Sequence, residues 1–384
     1  MKRIVFILIV ALTAVISCKK DKDINLDSVT ISTIEPIFKS DNSIKTGAKV
    51  SVDLNKNSPF HFGICYSVDQ NPTLNDVTTS NNLANGYEFE STITSGNYEL
   101  DKPLYIRAYL QDKNGKIKYG NQVTAKRDLN IKINSFKDIQ VGLFTVDYTV
   151  GAEFGSNLSS GICYSSSPNP TIQNSNYKKN SESGSGNLLL TSNSFYLIPA
   201  QTYYVRAYVQ VIDKIYYSEQ KTVKLAGFVG ESGGLVFYDK GSVSNGWRYL
   251  EASKSLLKNA NTEFKWSCVQ NQSVNVNTSR EIGTGEANSI AMKEYCNYAN
   301  NAASASLDLV RDGKDDWFLP SLDEMLLLAK AAVNYDLIYL GNPGLWTSTQ
   351  VNQTDGYIVY GYIQVGEEAV YKNNLFNAWP IRKY

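Results

Sequence analysis

Few side chains of this sequence could do chemistry, and the scarcest of them is histidine. His61 is the single histidine among 384 residues, and histidine is the commonest side chain for proton transfer and metal ligation near neutral pH. It stands four residues before Cys65, so the two would share one face of a strand. We interpret both as packing residues, because a second copy of this segment has no histidine. Most nucleophile–base triads and most zinc sites are thereby excluded.

Carboxylates crowd one short segment near the C-terminus. They are Asp308, Asp312, Asp315 and Asp316. Calcium prefers several oxygen ligands, but the spacing is not that of an EF-hand loop. Arg311 and Lys314 also offset part of the charge. Two interpretations stay open, a solvated loop and a calcium site, and we expect no other cofactor.

Two tryptophans near this segment are candidates for ligand contact. Trp317 and Trp346 could stack on a sugar ring through an apolar face, or they could anchor a core. The core is favoured for Trp317, which directly precedes an apolar stretch. With Asp312, Asp315 and Asp316, the two indoles complete the set of candidate ligand-binding residues.

The first residues have the pattern of an export signal. Lys2 and Arg3 precede a short apolar run, which is typical of a signal peptide over residues 1–17. Residues 15–18 (VISC) resemble the lipobox of bacterial lipoproteins, which implies lipidation of Cys18. Residues 18–26 would form a charged, lipidated tether. We therefore expect an outer-membrane lipoprotein that is exposed at the cell surface. Its partner is the membrane, to which its lipid anchors it.

Charge and length limit the remaining functions. Removing residues 1–17 takes away two of 37 basic residues and leaves 35 against 37 acidic ones. This balance predicts no nucleic-acid partner, since such a partner requires a clustered basic face. The 367 residues that remain are too many for one core and predict two to four domains.

An internal repeat indicates the architecture of the middle of the chain. Residues 63–67 (GICYS) recur as 161–165 at an offset of 98, and residues 105–109 (YIRAY) recur as 204–208 (YVRAY) at an offset of 99. Each copy has short runs of β-branched and aromatic residues separated by turn residues. Units of this length and pattern predict two antiparallel β-sandwiches, over residues 27–127 and 128–225.

One segment of the second copy carries a family resemblance. Residues 198–208 (IPAQTYYVRAY) look like the strand-F region of fibronectin type III domains, and Tyr203 stands where that family places its corner tyrosine. The first copy departs from the pattern with Leu104. In YVRAY, alternation would place Val205 and Ala207 on one face, and Arg206 on the other with its guanidinium in water.

Residues 226–384 have a different sequence pattern from the two repeats, with helix signals as well as strand signals. Ser321 and Glu324 form a capping-box pattern ahead of an apolar, Leu-rich helix. An apolar stripe over residues 290–303 predicts another helix. Residues 357–365 are typical of a strand, and 283–285 (GTG) of a tight turn. A mixed α+β domain is expected.

Five ordered blocks of this domain resemble one family, the Lcl C-terminal domain, which is related to the C-type lectin-like fold. The blocks are residues 233–238, 246–252, 282–288, 316–321 and 345–349. Similar proteins are often surface proteins, and a founding example is an adhesin domain that binds sulfated glycans, so the resemblance implies recognition. A related fold oxidises a cysteine on sulfatases with cysteine-bound copper, an arrangement that the cysteines here do not reproduce.

The cysteines of this domain are Cys268 and Cys296. In an exported protein an even pair suggests a disulfide. The alternative is two separate buried thiols, because Cys296 lies on the apolar stripe.

Together these patterns predict two immunoglobulin/fibronectin III-like sandwiches followed by a C-type-lectin-like α+β domain. The expected function is non-catalytic adhesion, in which the terminal domain recognises a glycan, the extracellular matrix or an envelope ligand. The first alternative is a structural or assembly subunit of an envelope or pilus-like complex. The second is an enzyme related to the formylglycine-generating fold.

Overall fold

A computed structural model describes residues 24–54, 59–81, 84–151, 158–182, 184–191, 197–211, 213–257, 263–266, 275–296, 301–338, 344–361 and 364–384. The signal peptide and Cys18 lie outside these residues. The chain divides into two compact units, Met1–Arg127 and Asp128–Tyr384. In the described part, no helix is both long and apolar enough to span a bilayer.

The first unit is a β-sandwich. Its strands are β1 (Ile31–Phe38), β2 (Ile44–Val50), β3 (His61–Ser67), β4 (Val77–Asn81), β5 (Glu88–Ile93), β6 (Leu104–Gln111), β7 (Ile117–Tyr119) and β8 (Val123–Ala125). One antiparallel sheet has the order β1-β2-β5, and the other has the order β4-β3-β6-β7 with β8 also paired to β6. Buried side chains from the two sheets meet between them, as in the contact of Phe62 with Phe89, whose ring centroids are 5.0 Å apart.

The second unit begins with a sandwich of the same design. Its strands are β9 (Lys132–Gln140), β10 (Leu143–Thr149), β11 (Leu158–Ser165), β12 (Asn176–Lys179), β13 (Gly186–Thr191), β14 (Thr202–Val211), β15 (Lys214–Tyr217) and β16 (Lys221–Lys224). The order β12-β11-β14-β15, with β16 also on β14, repeats that of the first unit. The predicted β-sandwich architecture is confirmed for both copies.

The repeated sequence blocks form the same contacts in both sandwiches. In the first, the Arg107 guanidinium lies over the Tyr119 ring and its Nε donates to the Gly120 carbonyl. In the second, Arg206 lies over Tyr217 and donates to Ser218. These contacts tie β6 to β7 and β14 to β15, so the recurrence of the blocks has a structural cause.

These contacts also correct one expectation about strand β14. The Arg206 guanidinium is not left to water, because it stacks on a ring and donates to the Ser218 carbonyl at 2.9 Å. Tyr208, which should lie on the same face, is buried at 2 % exposure. Side chains of other strands in the same sheet cover this face, since Arg206 lies over the Tyr217 ring of β15 and the Tyr208 ring meets that of Tyr177 in β12 at 6.3 Å.

Tyr203, the candidate corner tyrosine, is bonded to the backbone of the turn that precedes it. The Tyr203 hydroxyl accepts a hydrogen bond from the Ile198 amide at 2.9 Å, five residues upstream. In the first sandwich Leu104 stands at the matching position and is buried without such a group. The turn itself is present in both copies, since the Lys102 amide donates to Glu99 and the Gln201 amide to Ile198, each at 3.3 Å.

The rest of the second unit mixes helices and strands. Its elements are β17 (Phe228–Val229), β18 (Leu235–Ser244), β19 (Trp247–Ala252), α1 (Gly285–Tyr295), α2 (Ala302–Leu307), α3 (Leu322–Tyr335), β20 (Leu345–Gln350), β21 (Asp355–Gly361), β22 (Val365–Tyr371) and β23 (Ile381–Lys383). The capping box of Ser321 and Glu324 is confirmed at the start of α3. The helix expected over 290–303 is wrong in extent: α1 begins at Gly285, after a glycine turn, and has ended before Cys296.

A continuous sheet joins this region to the second sandwich. Strands run in the order β13-β10-β9-β18-β19-β23, and Tyr238 and Asp239 of β18 pair with Gln140 and Ile139 of β9. The boundary predicted at residue 225 therefore falls inside one compact unit. Alternating patterns do not reveal this join, because strand pairing between segments 100 residues apart leaves no local signal.

Candidate functional site

The acidic segment contains a tight turn, and two of its carboxylates pair with separate lysines. Asp312 and Gly313 have positive φ angles of 53° and 75°, the conformation of a tight hairpin turn. Asp312 pairs with Lys254 at 3.1 Å, Asp308 pairs with Lys293, and Asp315 is exposed. Among the described residues, no three His, Cys, Asp or Glu side chains form a group that could hold a metal ion.

Asp316 belongs instead to an ionic network with the buried residues Arg382 and Glu251. Arg382 donates from Nε and Nη2 to the two Asp316 oxygens, both at 2.9 Å, and from Nη1 to Glu251 at 3.3 Å. Although partial burial alone would raise it, the pKa of Asp316 is lowered by the hydrogen bonds and charge of Arg382. The Glu251 carboxylate is fully buried and also accepts from the amides of Ser232 and Gly234, at 3.1 and 2.8 Å.

The two candidate tryptophans are core residues in this structure. Trp346 has no exposed surface, and its Nε1 donates to the Phe264 carbonyl at 2.8 Å. Trp317 is 1 % exposed. Neither indole can stack on a sugar ring from this position, which corrects the ligand-contact interpretation in favour of the core alternative.

A second buried carboxylate holds the glycine-rich turn. Glu324 accepts from the amides of Gly283 and Ser321, both at 2.7 Å, and it is fully buried. Burial raises its pKa to about 6, against the opposing effect of these hydrogen bonds. Gly283 has a φ of 94°, and a Cβ there would lie 2.8 Å from the Trp247 ring. The tight turn predicted from the sequence is thus present, and it packs against Trp247.

Polar side chains of these sequence blocks therefore form hydrogen bonds and ion pairs inside the domain. Glu251 of residues 246–252 and Asp316 of 316–321 meet at Arg382. The Asn288 amide of 282–288 donates to the Ser348 hydroxyl of 345–349 at 3.1 Å. These blocks therefore contribute to the interior of the domain.

Cys296 is disulfide-bonded and buried at the end of α1. Cys268 lies outside the described residues, so its predicted pairing with Cys296 stays a prediction. Cys65 and Cys163 are free and buried, and each thiol donates to a proline carbonyl, at 3.3 and 3.4 Å. Burial raises their pKa values to about 11 and about 12, so both remain unreactive thiols.

A cleft in the second unit brings together cationic and aromatic side chains. It is a cavity of about 380 Å³ between β9, β16 and the β18–β19 hairpin, a volume within the range of small-ligand sites. We call it the lysine cleft, after Lys137, Lys221 and Lys224 on its walls. All three lysines are exposed, and none forms a salt bridge with a carboxylate that the structure describes.

Aromatic rings and one ion pair shape the floor of the lysine cleft. The Lys224 ammonium lies 4.3 Å from the centroid of Phe228, and that ring meets Tyr249 edge-on at 5.9 Å. Arg248 donates to both oxygens of Asp239, at 2.7 and 2.9 Å, and this hydrogen bonding raises the pKa of Arg248. Asp239 is thereby neutralised, and the three lysines leave the cleft positively charged.

Sequence patterns miss this cleft for a physical reason. Its walls come from β9, β16 and β18, and they meet only because β18 pairs with β9. The local signal was the segment 221–228 (KTVKLAGF), in which two lysines precede an aromatic residue. The net charge of the whole chain does not reveal this local cluster of lysines, since 37 basic and 37 acidic residues cancel.

Comparison with known proteins does not assign the chain to a family. No family model matches the sequence, and no curated protein matches it either. Among solved structures, the chicken interferon gamma receptor alpha chain is 15% identical with a TM-score of 0.22, and the match covers 51% of this chain and 97% of that chain. The FN1–FN3 domains of chicken CNTN1 are 8% identical with a TM-score of 0.21, over 51% of this chain and 67% of that chain. Neither likeness bears on function.

Proposed function

We propose that this chain is a lipid-anchored protein of the bacterial cell surface that binds an acidic glycan without catalysis. Its sandwiches act as fibronectin type III-like spacers, and the region from residue 226 is a lectin-like domain of the Lcl C-terminal type. The observation that carries the proposal is the lysine cleft, which is lined by Phe228, Tyr249 and three lysines that form no salt bridge with a described carboxylate.

Two features of the chain support the proposal that it is exported. The apolar run that precedes Cys18 is typical of a lipoprotein signal. The disulfide bond of Cys296 fits an oxidising compartment outside the cytoplasm. Two acyl chains on Cys18 would anchor the protein stably, whereas one chain holds only marginally.

The choice of an acidic glycan follows from the chemistry of the lysine cleft. Sulfate and carboxylate groups pair with ammonium groups, while Phe228 and Tyr249 add apolar surface to the lining of the cleft. Binding rather than catalysis is favoured because Asp239, the carboxylate that lines this cleft, is held by Arg248. A general acid or base would need a carboxyl group able to exchange its proton.

The test of the cleft measures binding of fluorescent heparin to the mature chain at low ionic strength. In K221Q/K224Q the binding is expected to weaken between about 2-fold and 30-fold, because exposed ion pairs contribute roughly 0.2–1 kcal/mol each. The matched control is K179Q/K330Q, which removes two exposed lysines of the same unit that do not line the cleft. Equal affinity in the two variants, or no binding by the parent protein, would contradict the proposal.

The test of location uses intact cells. A membrane-impermeant protease should remove the protein from the surface, and mass spectrometry of the N-terminal peptide should find acyl chains on Cys18. Protection from the protease together with an unmodified thiol would overturn the surface lipoprotein proposal and leave the binding proposal standing.

A further inference from the structure

The second sandwich carries a different cavity, which has an uncharged lining. It has a volume of about 560 Å³ and lies where β11 ends, beside the corner turn of residues 198–203. We call it the amide cavity, because Gln173, Asn174, Asn176 and Gln201 line it together with three serines. No ionisable acid or base side chain of Asp, Glu, Lys, Arg or His is among its lining residues.

The first sandwich provides an internal comparison for this cavity. At the repeat offset of 98, Asn174 replaces Asp76, and Ser166 and Ser175 replace Val68 and Val77. The second copy thus has a neutral hydrogen-bonding group where the first has a charge or an exposed aliphatic side chain, since Val68 and Val77 are 56 % and 54 % exposed.

The corner turn differs in the same direction. At the offset of 99, Gln201 replaces Lys102 and Ile198 replaces Glu99. In the first sandwich Glu99 and Lys102 form a salt bridge at 2.6 Å across this turn. In the second the ion pair is gone, and Ile198 is exposed at the rim of the cavity.

The amides are oriented by hydrogen bonds of the protein. The Asn174 side-chain oxygen accepts from the Thr171 amide at 2.9 Å and from the Ser175 hydroxyl at 2.7 Å. The Gln173 side-chain oxygen accepts from the Tyr217 hydroxyl at 3.1 Å. With their oxygens engaged, both side chains keep NH₂ donors that have no partner among the described residues.

We propose that the amide cavity binds an uncharged saccharide. Amide NH₂ groups and serine hydroxyls suit the dense hydroxyl groups of a sugar, and Ile198 offers an apolar contact for one face of its ring. A charged ligand would find no counter-ion in the lining. This site is separate from the lysine cleft, so the unit Asp128–Tyr384 has two places for glycan contact with different charge preferences.

The experiment uses saturation-transfer NMR on the full mature chain with three neutral probes, maltotriose, mannotriose and N,N′,N″-triacetylchitotriose. At least one of them should receive saturation from the parent protein. In I198E/Q201K, which restores the ion pair of the first sandwich, the signal should fall at least tenfold. The reciprocal variant E99I/K102Q should leave the signal unchanged.

Two readouts separate a local effect from misfolding. Thermal unfolding of I198E/Q201K should match that of the parent, because the same pair is accommodated on the equivalent turn of the first sandwich, and its heparin affinity should also be unchanged. The proposal is overturned if none of the three sugars gives a signal, if I198E/Q201K keeps the signal, or if pentaglycine gives a signal and the sugars do not. The heparin-binding measurement tests the proposed function of the lysine cleft, and its result does not depend on any of these three outcomes.

Discussion

Replacing Arg382 by methionine tests whether the ion pairs of this buried arginine with Glu251 and Asp316 hold residues 246–252 and 316–321 together. The Arg382 side chain is 4 % exposed, and its Nη1 lies 3.3 Å from a carboxylate oxygen of the fully buried Glu251. Breaking a buried pair from one side costs about 3–5 kcal/mol. Glu251 keeps donors from Ser232 and Gly234, and the half-exposed Asp316 can rehydrate. We therefore expect a loss near the lower end, about 3 kcal/mol.

The assay is urea unfolding of the mature chain followed by tryptophan fluorescence. All five tryptophans lie between residues 247 and 379, so this signal reports on the region that contains Arg382. The matched control is R280M, because Arg280 pairs with Asp323 at a side-chain exposure of 50 % and should cost no more than about 1 kcal/mol. The added change E251Q should recover part of the loss in R382M. A loss below about 1 kcal/mol in R382M would refute the reasoning.

Three further predictions concern the interior of the same unit. Because the pKa of Glu324 is raised to about 6, its protonated form contributes stability that is fully present below the usual pKa of 4.5 and is lost as pH rises through 6. The unfolding free energy of the parent should therefore fall relative to that of E324Q by about 2 kcal/mol across this window. Parallel pH profiles of the two proteins would contradict this prediction. G283A should destabilise by about 1–3 kcal/mol, because a positive φ is forced on alanine and its Cβ would press on the Trp247 ring; an unchanged urea midpoint would show that the turn can relax. Non-reducing peptide mapping should join Cys268 to Cys296, and reduction should cost about 2–5 kcal/mol, whereas a mapped partner other than Cys268 would refute the pairing.

The sequence was most informative where contacts are local. The capping box of Ser321 and Glu324 needs only three residues of spacing, and the structure has it. The repeat likewise predicted two sandwiches, because each copy preserves its own short-range pairings. Alternation did not predict the covering of the Arg206 guanidinium, since that depends on Tyr217 of the adjacent strand β15, and strand pairing is not a local property.

The sites were harder to predict than the fold. Trp317 and Trp346 look the same in sequence whether they meet a ligand or a core, and only burial decides between the two. The lysine cleft depends on the pairing of β9 with β18 across about 100 residues. No pattern within a strand encodes that register, so Lys221 and Lys224 could be seen in the sequence as charges but not as a site.

The most direct measurement of the central claim is lysine footprinting with a heparin oligosaccharide. The mature chain is acetylated with and without the ligand, and mass spectrometry quantifies the modification of each lysine. Lys137, Lys221 and Lys224 should be protected together, while Lys179 and Lys330 should react equally in both samples. Uniform protection of all five lysines, or protection confined to the last two, would contradict binding in the lysine cleft.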